Sequence, residues 1–229
     1  TFFRSNNVLN IIDQRINENE GNDKLINIEK IEFSDQTVLE EKVDKVLNYS
    51  GKFNEYTFIN KEPGIYQIQH DDDLYDNITG IPKIIFTDKP FGISAISYVQ
   101  ATFEQLDGID TYSGKIYRLY NAAFKRLPDP EGLKYWINNF KSGVDNEREI
   151  ASSFINSNEF IQEYGQNISN NKYVKNLYNN VLKREADIDG LNYWVGQLNN
   201  GIEARNEILL GFSESNENKI FFSETTLFS

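Results

Sequence analysis

Cysteine and methionine are both absent from the 229 residues, and there is only one histidine, His70. Without cysteine the chain has no disulfide bonds, thiolate metal ligands or thiol nucleophile. No H-E-x-x-H zinc motif, glycine-rich phosphate loop or G-x-S-x-G elbow occurs. No carboxylate pair combines a plausible catalytic partner with an apolar setting that would raise the pKa of one carboxyl group for acid catalysis. The sequence therefore favours a protein without catalytic residues.

Long apolar runs and excess positive charge are also lacking. No stretch of about 18 apolar residues exists, so we expect no membrane span. The net charge of -12 disfavours nucleic acid and anionic lipid as partners, because both bind through Lys and Arg. The 39% hydrophobic content, with 16 Phe and 13 Tyr, is nevertheless typical of a folded globular protein.

Charge and patterning divide the chain near residue 111. Residues 1–111 carry -10 of the net charge and contain short β-branched and aromatic runs, whereas the rest has helical spacing. We therefore predict an α+β protein with a polar N-terminal segment (1–23), a β-rich domain (24–111) and an all-α domain (112–229). Within the β-rich domain, IEKIEFSD at 28–35 is echoed by IPKIIFTD at 81–88.

The C-terminal half contains an internal repeat. LYNAAFKRLPDPEGLKYWINNFKSG and LYNNVLKREADIDGLNYWVGQLNNG align without a gap over their whole length. We place repeat one at 116–160 and repeat two at 173–218. The repeated residues to which we assign structural roles are Arg126, Asp129, Gly132 and Trp136 in the first copy and Arg184, Asp187, Gly190 and Trp194 in the second.

Asp129 precedes Pro130, which is favoured at the first position of a helix, so Asp129 is predicted to be the N-cap. Asp187 takes the same role by alignment. The arginines are expected to bond the last carbonyls of the preceding helix or the acids across the turn. The glycines indicate a close approach of another backbone or an aromatic ring, and the tryptophans, spaced with Leu and Ile, are predicted to face a core.

A calcium loop is the alternative reading of the acidic stretch 185–189. An EF-hand loop needs an acid at its twelfth position, where the second copy has Gly196 and the first has Asn138. The helix-capping interpretation is therefore preferred. If calcium binds anywhere, the first candidates are Asp71, Asp72, Asp73 and Asp76, close to His70, although such a run in a loop is usually only solvated.

The pattern R-x-x-D-x-x-G-L-x-Y-W, present in both copies, resembles the helical domain-of-unknown-function family numbered 4214. SSFINSNEF is similar to that family's closing S-x-E-F element, whereas the second copy has Asn218 in place of the Phe. The resemblance covers about half the chain. The family is distantly similar to phycobilisome linker domains and is common in secreted bacterial proteins with RTX-type calcium repeats and in surface-layer or adhesin-like proteins.

The resemblance implies a non-catalytic structural protein, extracellular or on the cell surface, whose helical repeats mediate self-assembly or attachment to another surface protein. The G-G-x-G-x-D repeats that bind calcium in RTX proteins are absent, so that mechanism is not implied. Two alternatives remain open. One is an intracellular scaffold like a phycobilisome linker, which the acidic pI opposes. The other is a glycan-binding module of a larger secreted enzyme, with the tryptophans stacking on sugars.

Overall fold

A computed structural model shows two compact units, residues 1–100 and 101–229. The structure describes residues 45–71, 74–81, 83–88, 90–91 and 94–228, together with the backbone of five strands within residues 1–44. Only the backbone is described for residues 71, 90–91 and 94–96. Strands precede helices along the chain, so the prediction of an α+β fold with a C-terminal helical domain is confirmed.

The first unit is built of short strands. They are β1 (Phe2–Ser5), β2 (Val8–Ile12), β3 (Asn22–Leu25), β4 (Lys30–Glu32), β5 (Thr37–Leu39), β6 (Val46–Asn48), β7 (Thr57–Glu62), β8 (Ile65–Asp71), β9 (Leu74–Asn77), β10 (Lys83–Ile85) and β11 (Pro90–Phe91). β1-β2-β3 and β7-β8-β9 are antiparallel three-stranded sheets. β4 pairs with β5, and β10 pairs antiparallel with β11 and parallel with β6.

The strand succession of this unit is itself repeated. In each half a three-stranded antiparallel sheet is followed by an antiparallel hairpin. Ile31 lies opposite Val38 in the first hairpin, and Ile84 lies opposite Phe91 in the second, so the shift that aligns the sequence echo also aligns the strand registers. Two of the strands, β1 and β2, fall within residues 1–23, which composition alone had marked as a polar segment.

An aromatic cluster forms the core around β7–β10. Phe53 contacts Phe58 with ring centroids 4.8 Å apart and meets Phe86 edge-on at 5.4 Å, and Tyr49 stacks on Phe86 at 5.2 Å. The isoleucines that complete this core are at most 1% exposed: Ile68, Ile78, Ile81 and Ile84. Burying each such side chain is worth about 1.5–3 kcal/mol, which the short strands need because their ladders contain few hydrogen bonds.

The helices are α1 (Ser94–Phe103), α2 (Tyr112–Phe124), α3 (Pro130–Ser142), α4 (Glu147–Ile155), α5 (Asn158–Tyr164), α6 (Asn170–Val181), α7 (Ile188–Asn199), α8 (Arg205–Ser213) and α9 (Asn216–Thr225). The shift that aligns the two sequence copies carries the starts of α2, α3, α4 and α5 onto the starts of α6, α7, α8 and α9. The duplication seen in the sequence is thus a duplication of four consecutive helices. α1 crosses the division between the two units.

Side-chain caps fix these helix boundaries. The Ser157 and Ser215 hydroxyls accept from the amides of Phe160 and Asn218 and so start α5 and α9. α3 ends at Gly143, whose φ of 72° is in the left-handed region that favours glycine, and the equivalent Gly201 has a φ of 64°. Side-chain caps therefore start three of the four helices alike in the two copies, whereas α4 begins with the Asn146 side chain and α8 begins at Ala204 without a side-chain cap.

Candidate functional site

The repeated motif lies at the connection between the first two helices of each copy. Asp129 is the N-cap of α3, and its Oδ1 accepts from the Gly132 amide at 2.7 Å. Asp187 is the N-cap of α7 and accepts from the Gly190 amide, also at 2.7 Å. Glu131 and Asp189 follow in the first turns, where the helix dipole favours negative charge. These acids are therefore used to begin helices.

Tyr120 completes the first cap from the preceding helix. Its hydroxyl donates to Asp129 Oδ2 at 2.6 Å, so both carboxylate oxygens of Asp129 accept a hydrogen bond. Burial favours the neutral acid, but the bonds from Tyr120 and the Gly132 amide, together with the Arg126 charge, hold the Asp129 pKa below its usual value. Burial raises the pKa of Tyr120 and keeps it a donor.

Arg126 joins this turn to the start of α5. Its Nε donates to Glu159 Oε1 at 2.5 Å and its Nη2 to Glu159 Oε2 at 3.1 Å, a bidentate pair. Nη1 donates to the Leu127 carbonyl, and the guanidinium lies 5.2 Å from the centre of the Tyr120 ring. Arg184 makes the same bidentate bonds to Glu217, at 2.8 and 3.2 Å, and lies 4.9 Å from the Tyr178 ring.

The repeated glycines make room for the cap. A Cβ on Gly132 would lie 2.7 Å from Asp129 Oδ1, and one on Gly190 would clash with the Tyr178 hydroxyl and lie 3.1 Å from Asp187 Oδ2. The predicted close approach therefore exists, but capping carboxylates and a tyrosine hydroxyl make it. The nearest atoms to these two glycines include no backbone atom of another segment and no ring face, which are the contacts that the sequence had predicted.

The tryptophans are less buried than their helical spacing predicted. Trp136 meets the buried Phe154 edge-on at 5.2 Å, and Trp194 lies 5.7 Å from Phe212, yet both indoles are only half-buried. Each contacts an adjacent tyrosine, Tyr135 or Tyr193, that is 56% or 55% exposed. The rings thus lie between core and solvent.

Exposed apolar side chains recur at equivalent positions of the two copies. Tyr135 corresponds to Tyr193, and Val144 corresponds to Ile202, at 68% and 64% exposure. Single exposed apolar residues are ordinary on a protein surface. These two pairs are exposed in both copies of the duplicated unit.

The acidic candidates for a cation lie around β8 and β9. Asp72 and Asp73 lie outside the described residues, and of Asp71 only the backbone is described. Asp76 accepts from the Tyr49 hydroxyl at 2.9 Å and lies 3.6 Å from His70 Nε2. Burial, followed by the bond to Asp76, raises the Tyr49 pKa. Among the described residues no three His, Asp or Glu side chains are grouped to hold a metal ion.

The profile of one protein family matches this chain twice. The family is described as Domain of unknown function (DUF4214), and the matched residues are 99–158 and 151–222, together more than half of the 229 residues. The chain belongs to this family. Each DUF4214 match begins before the first helix of its copy. The first match begins in α1, ahead of α2, and the second begins in α4, ahead of α6, so that the second match includes α5.

No curated protein and no solved structure matches the chain significantly. Among the described helices of this DUF4214 protein, none has both the length and the apolarity needed to cross a bilayer. The match therefore shows that the helical part of the chain belongs to DUF4214, a family whose function is unknown.

Three important residues of the DUF4214 copies were not found from sequence. Glu159 and Glu217 occupy equivalent positions in the two copies, and the arginine three residues before the capping Asp could have led to them. Arg118 carried no such signal, because its counterpart in the second copy is Asn176. Arg118 is 1% exposed and binds Glu214 through both carboxylate oxygens, at 3.0 and 2.7 Å, and so joins α2 of one copy to the end of α8 of the other.

Proposed function

We propose that this chain is a non-catalytic structural protein of the cell exterior, in which the paired helical copies mediate assembly with other protein molecules. The proposal places it with surface-layer or adhesin-like proteins, extracellular or on the cell surface. The observation that carries it is the recurrence of exposed apolar side chains, Tyr135 with Tyr193 and Val144 with Ile202, on two copies of one scaffold.

The remaining repeated residues support this interpretation because the fold already uses them. Asp129, Gly132 and Arg126 start α3 and hold α5, and their equivalents do the same in the second copy. A duplicated enzyme would be expected to present repeated polar groups to an open cleft. Here two of the repeated pairs that face solvent are apolar, Tyr135 with Tyr193 and Val144 with Ile202.

Assembly is not a continuation of the packing between the two copies. On α2, Ser113 and Gly114 are buried against residues 107–109, and the buried Tyr117 contacts Phe103 and Phe222. Their equivalents on α6, Asn171, Lys172 and Lys175, are exposed and polar. A repeat array ends with a polar outer face of this kind, so the two copies form a closed pair, and other surfaces must provide attachment.

The test of assembly is sedimentation velocity over a range of concentrations, with electron microscopy in calcium and in chelator. We expect concentration-dependent species, or sheets and filaments, that a Tyr135→Ser/Tyr193→Ser double variant weakens. Tyr112→Ser is the matched control, since Tyr112 is a similarly exposed tyrosine whose counterpart is Asn170. A monodisperse monomer under all conditions, with no effect of either variant, would contradict the proposal.

The half-buried indoles favour a glycan as the second candidate ligand. Trp136 and Trp194 each present a partly accessible ring beside an exposed tyrosine, an arrangement that can stack on a sugar. Screening the full chain on a glycan array decides this point. Binding that is lost in both Tyr135→Ser and Tyr193→Ser would assign the two positions to carbohydrate instead of protein.

A further inference from the structure

Helix α7 has an apolar side that the second copy leaves open. None of the residues of α7 is fully buried, although all of them are described. Ile188, Leu191 and Val195 lie on one side of it at i, i+3 and i+7, and Ile188 is 77% exposed. We call these three residues the open face of α7. In the first copy the equivalents of Leu191 and Val195 are Leu133 and Ile137, at 0% and 6% exposure.

The end of α1 covers the corresponding region in the first copy. The Thr102 hydroxyl donates to the Pro128 carbonyl at 2.9 Å, and the Gln105 amide donates to the Pro130 carbonyl at 2.9 Å. Phe103 and Leu106, three residues apart, are 3% and 6% exposed. The end of α1 and the residues after it thus donate two hydrogen bonds to the start of α3 from positions i and i+3, and Phe103 contacts Tyr117 of α2.

The helix that precedes the second copy is α5, the last helix of the first copy, and it contacts α2 as well as α6 through Tyr164, whose carbonyl accepts from Asn176 at 3.3 Å. Tyr164, at the position equivalent to Leu106, donates its hydroxyl to the Ala122 carbonyl on α2, and Glu159 binds Arg126. Ala186, equivalent to the buried Pro128, is partly exposed, and Ile188 is exposed. The surface that the end of α1 contacts in the first copy is thus more exposed in the second.

The negative charge at the start of α7 restricts which partner could bind the open face. Glu185 replaces Leu127, which is 3% exposed, and Glu185, Asp187 and Asp189 are all exposed around the carbonyls of Ala186 and Ile188. A partner segment must therefore meet three carboxylates beside an apolar row. Basic side chains satisfy this arrangement, whereas a second copy of this acidic chain, with a net charge of -12, does not.

We propose that the open face of α7 binds an amphipathic helix of another protein, one that presents two apolar residues at i and i+3 and carries Lys or Arg beside them. α1 is the template for the apolar part, and the acidic rim supplies the charge requirement. The proposal rests on the assembly function above and adds the class of partner.

The probe is a fluorescently labelled peptide of residues 96–106, together with a basic version carrying Glu104→Lys and Gln105→Arg. Both are titrated into the full-length protein, in which α1 already occupies the first copy, and binding is read by anisotropy. We expect both peptides to bind, the basic one about fivefold more tightly at low salt, and the difference to shrink at high salt, where screening is strong.

Ile188→Asp is expected to weaken binding of both peptides about tenfold or more, because it places a charge in the apolar contact. Ile202→Asp is the matched control, since Ile202 is exposed on the same copy outside the open face, and it should bind like the wild type. Glu185→Gln/Asp189→Asn should remove the advantage of the basic peptide and leave the capping Asp187 intact.

Failure of the wild type to bind either peptide, or equal losses in Ile188→Asp and Ile202→Asp, would overturn the proposal. An equal affinity for the two peptides at low salt would overturn the basic character of the partner. The assembly function is tested separately by sedimentation and microscopy, so its failure is distinguishable from failure of peptide binding.

Discussion

At the scale of single residues, the start of α7 shows what a glycine does in a helix. Gly190 and Gly196 lie on the same helix, but a Cβ on Gly190 would clash with the Tyr178 hydroxyl, whereas one on Gly196 would meet nothing within 4 Å. Glycine in a helix costs about 0.5–1 kcal/mol relative to alanine when nothing requires it. The cost at Gly190 therefore has a steric reason, and the cost at Gly196 has none in the structure.

Gly196→Ala should raise the free energy of unfolding by about 0.5–1 kcal/mol, and Gly190→Ala should lower it. Chemical denaturation followed by tryptophan fluorescence measures both. Removing the obstructing hydroxyl with Tyr178→Phe should reduce the loss in Gly190→Ala. If the two alanine variants change stability in the same direction, the steric account of Gly190 is wrong.

Asp129 provides a second test, because its role as a cap predicts both calcium and pH behaviour. Asp129→Ala should cost about 0.5–2 kcal/mol, equally in calcium and in chelator. The Asp129 pKa is lowered from its usual 3.8, so its contribution is present above pH 3.8 and is lost as the pH falls through the folded-state value. The stability difference between wild type and Asp129→Ala should therefore shrink below pH 3.8. A loss seen only in calcium would instead indicate a metal ligand.

At the scale of secondary-structure elements, the arginine–glutamate pairs show how the same bond depends on its surroundings. Arg126 binds Glu159 with its side chain 13% exposed, and Arg184 binds Glu217 with 43% exposed. Both join the turn after the first helix to the start of the fourth. Solvent screens the second pair more strongly, so equal geometry should not give equal stabilisation.

Glu159→Gln should cost about 1–2 kcal/mol, whereas Glu217→Gln should cost no more than about 1 kcal/mol. Double-mutant cycles with Arg126→Lys and Arg184→Lys measure the coupling energies, and added salt should reduce the second pair proportionally more. Equal coupling in the two copies would mean that exposure does not control these bonds.

The sequence predicts the elements whose signals are local or repeated. The Asp129 cap follows from Pro130, and the gapless alignment of the repeat matches the four helices of one copy with those of the other. Two findings could not be reached in this way. The burial of Trp136 depends on what lies over its helix, and the pairing of Arg118 with Glu214 joins distant positions that the repeat does not duplicate. The repeat therefore predicts the features that both copies share, and it does not predict contacts made by one copy alone.

At the scale of the whole helical unit, the two copies are joined asymmetrically. α4 and α2 both pack on α8, and Arg118 of α2 is a buried charged residue that binds the end of α8. Besides Glu214, Arg118 donates to the Ile109 carbonyl at 2.6 Å and lies 5.1 Å from the Phe222 ring. Its counterpart, Asn176, has no charge and donates to the Tyr164 carbonyl at 3.3 Å, so equivalent positions make different bonds between the two copies.

Arg118→Met should therefore uncouple the copies as well as destabilise them. Losing Arg118 as a partner of Glu214 should cost about 3 kcal/mol, the lower end for a buried pair, because Glu214 is 26% exposed and keeps Lys219 at 3.9 Å. Each copy contains one tryptophan, so Trp194→Phe and Trp136→Phe backgrounds report the unfolding of the first and second copy separately. With Arg118 present we expect the two denaturation curves to coincide. With Met they should separate, the second copy unfolding first, since Arg118 holds the end of its α8.

Arg148→Met, which removes an exposed ion pair to Glu207 across the same contact, is the control and should change stability by less than about 1 kcal/mol. Curves that still coincide in Arg118→Met would show that apolar packing between α4 and α8 alone makes the pair a single cooperative unit.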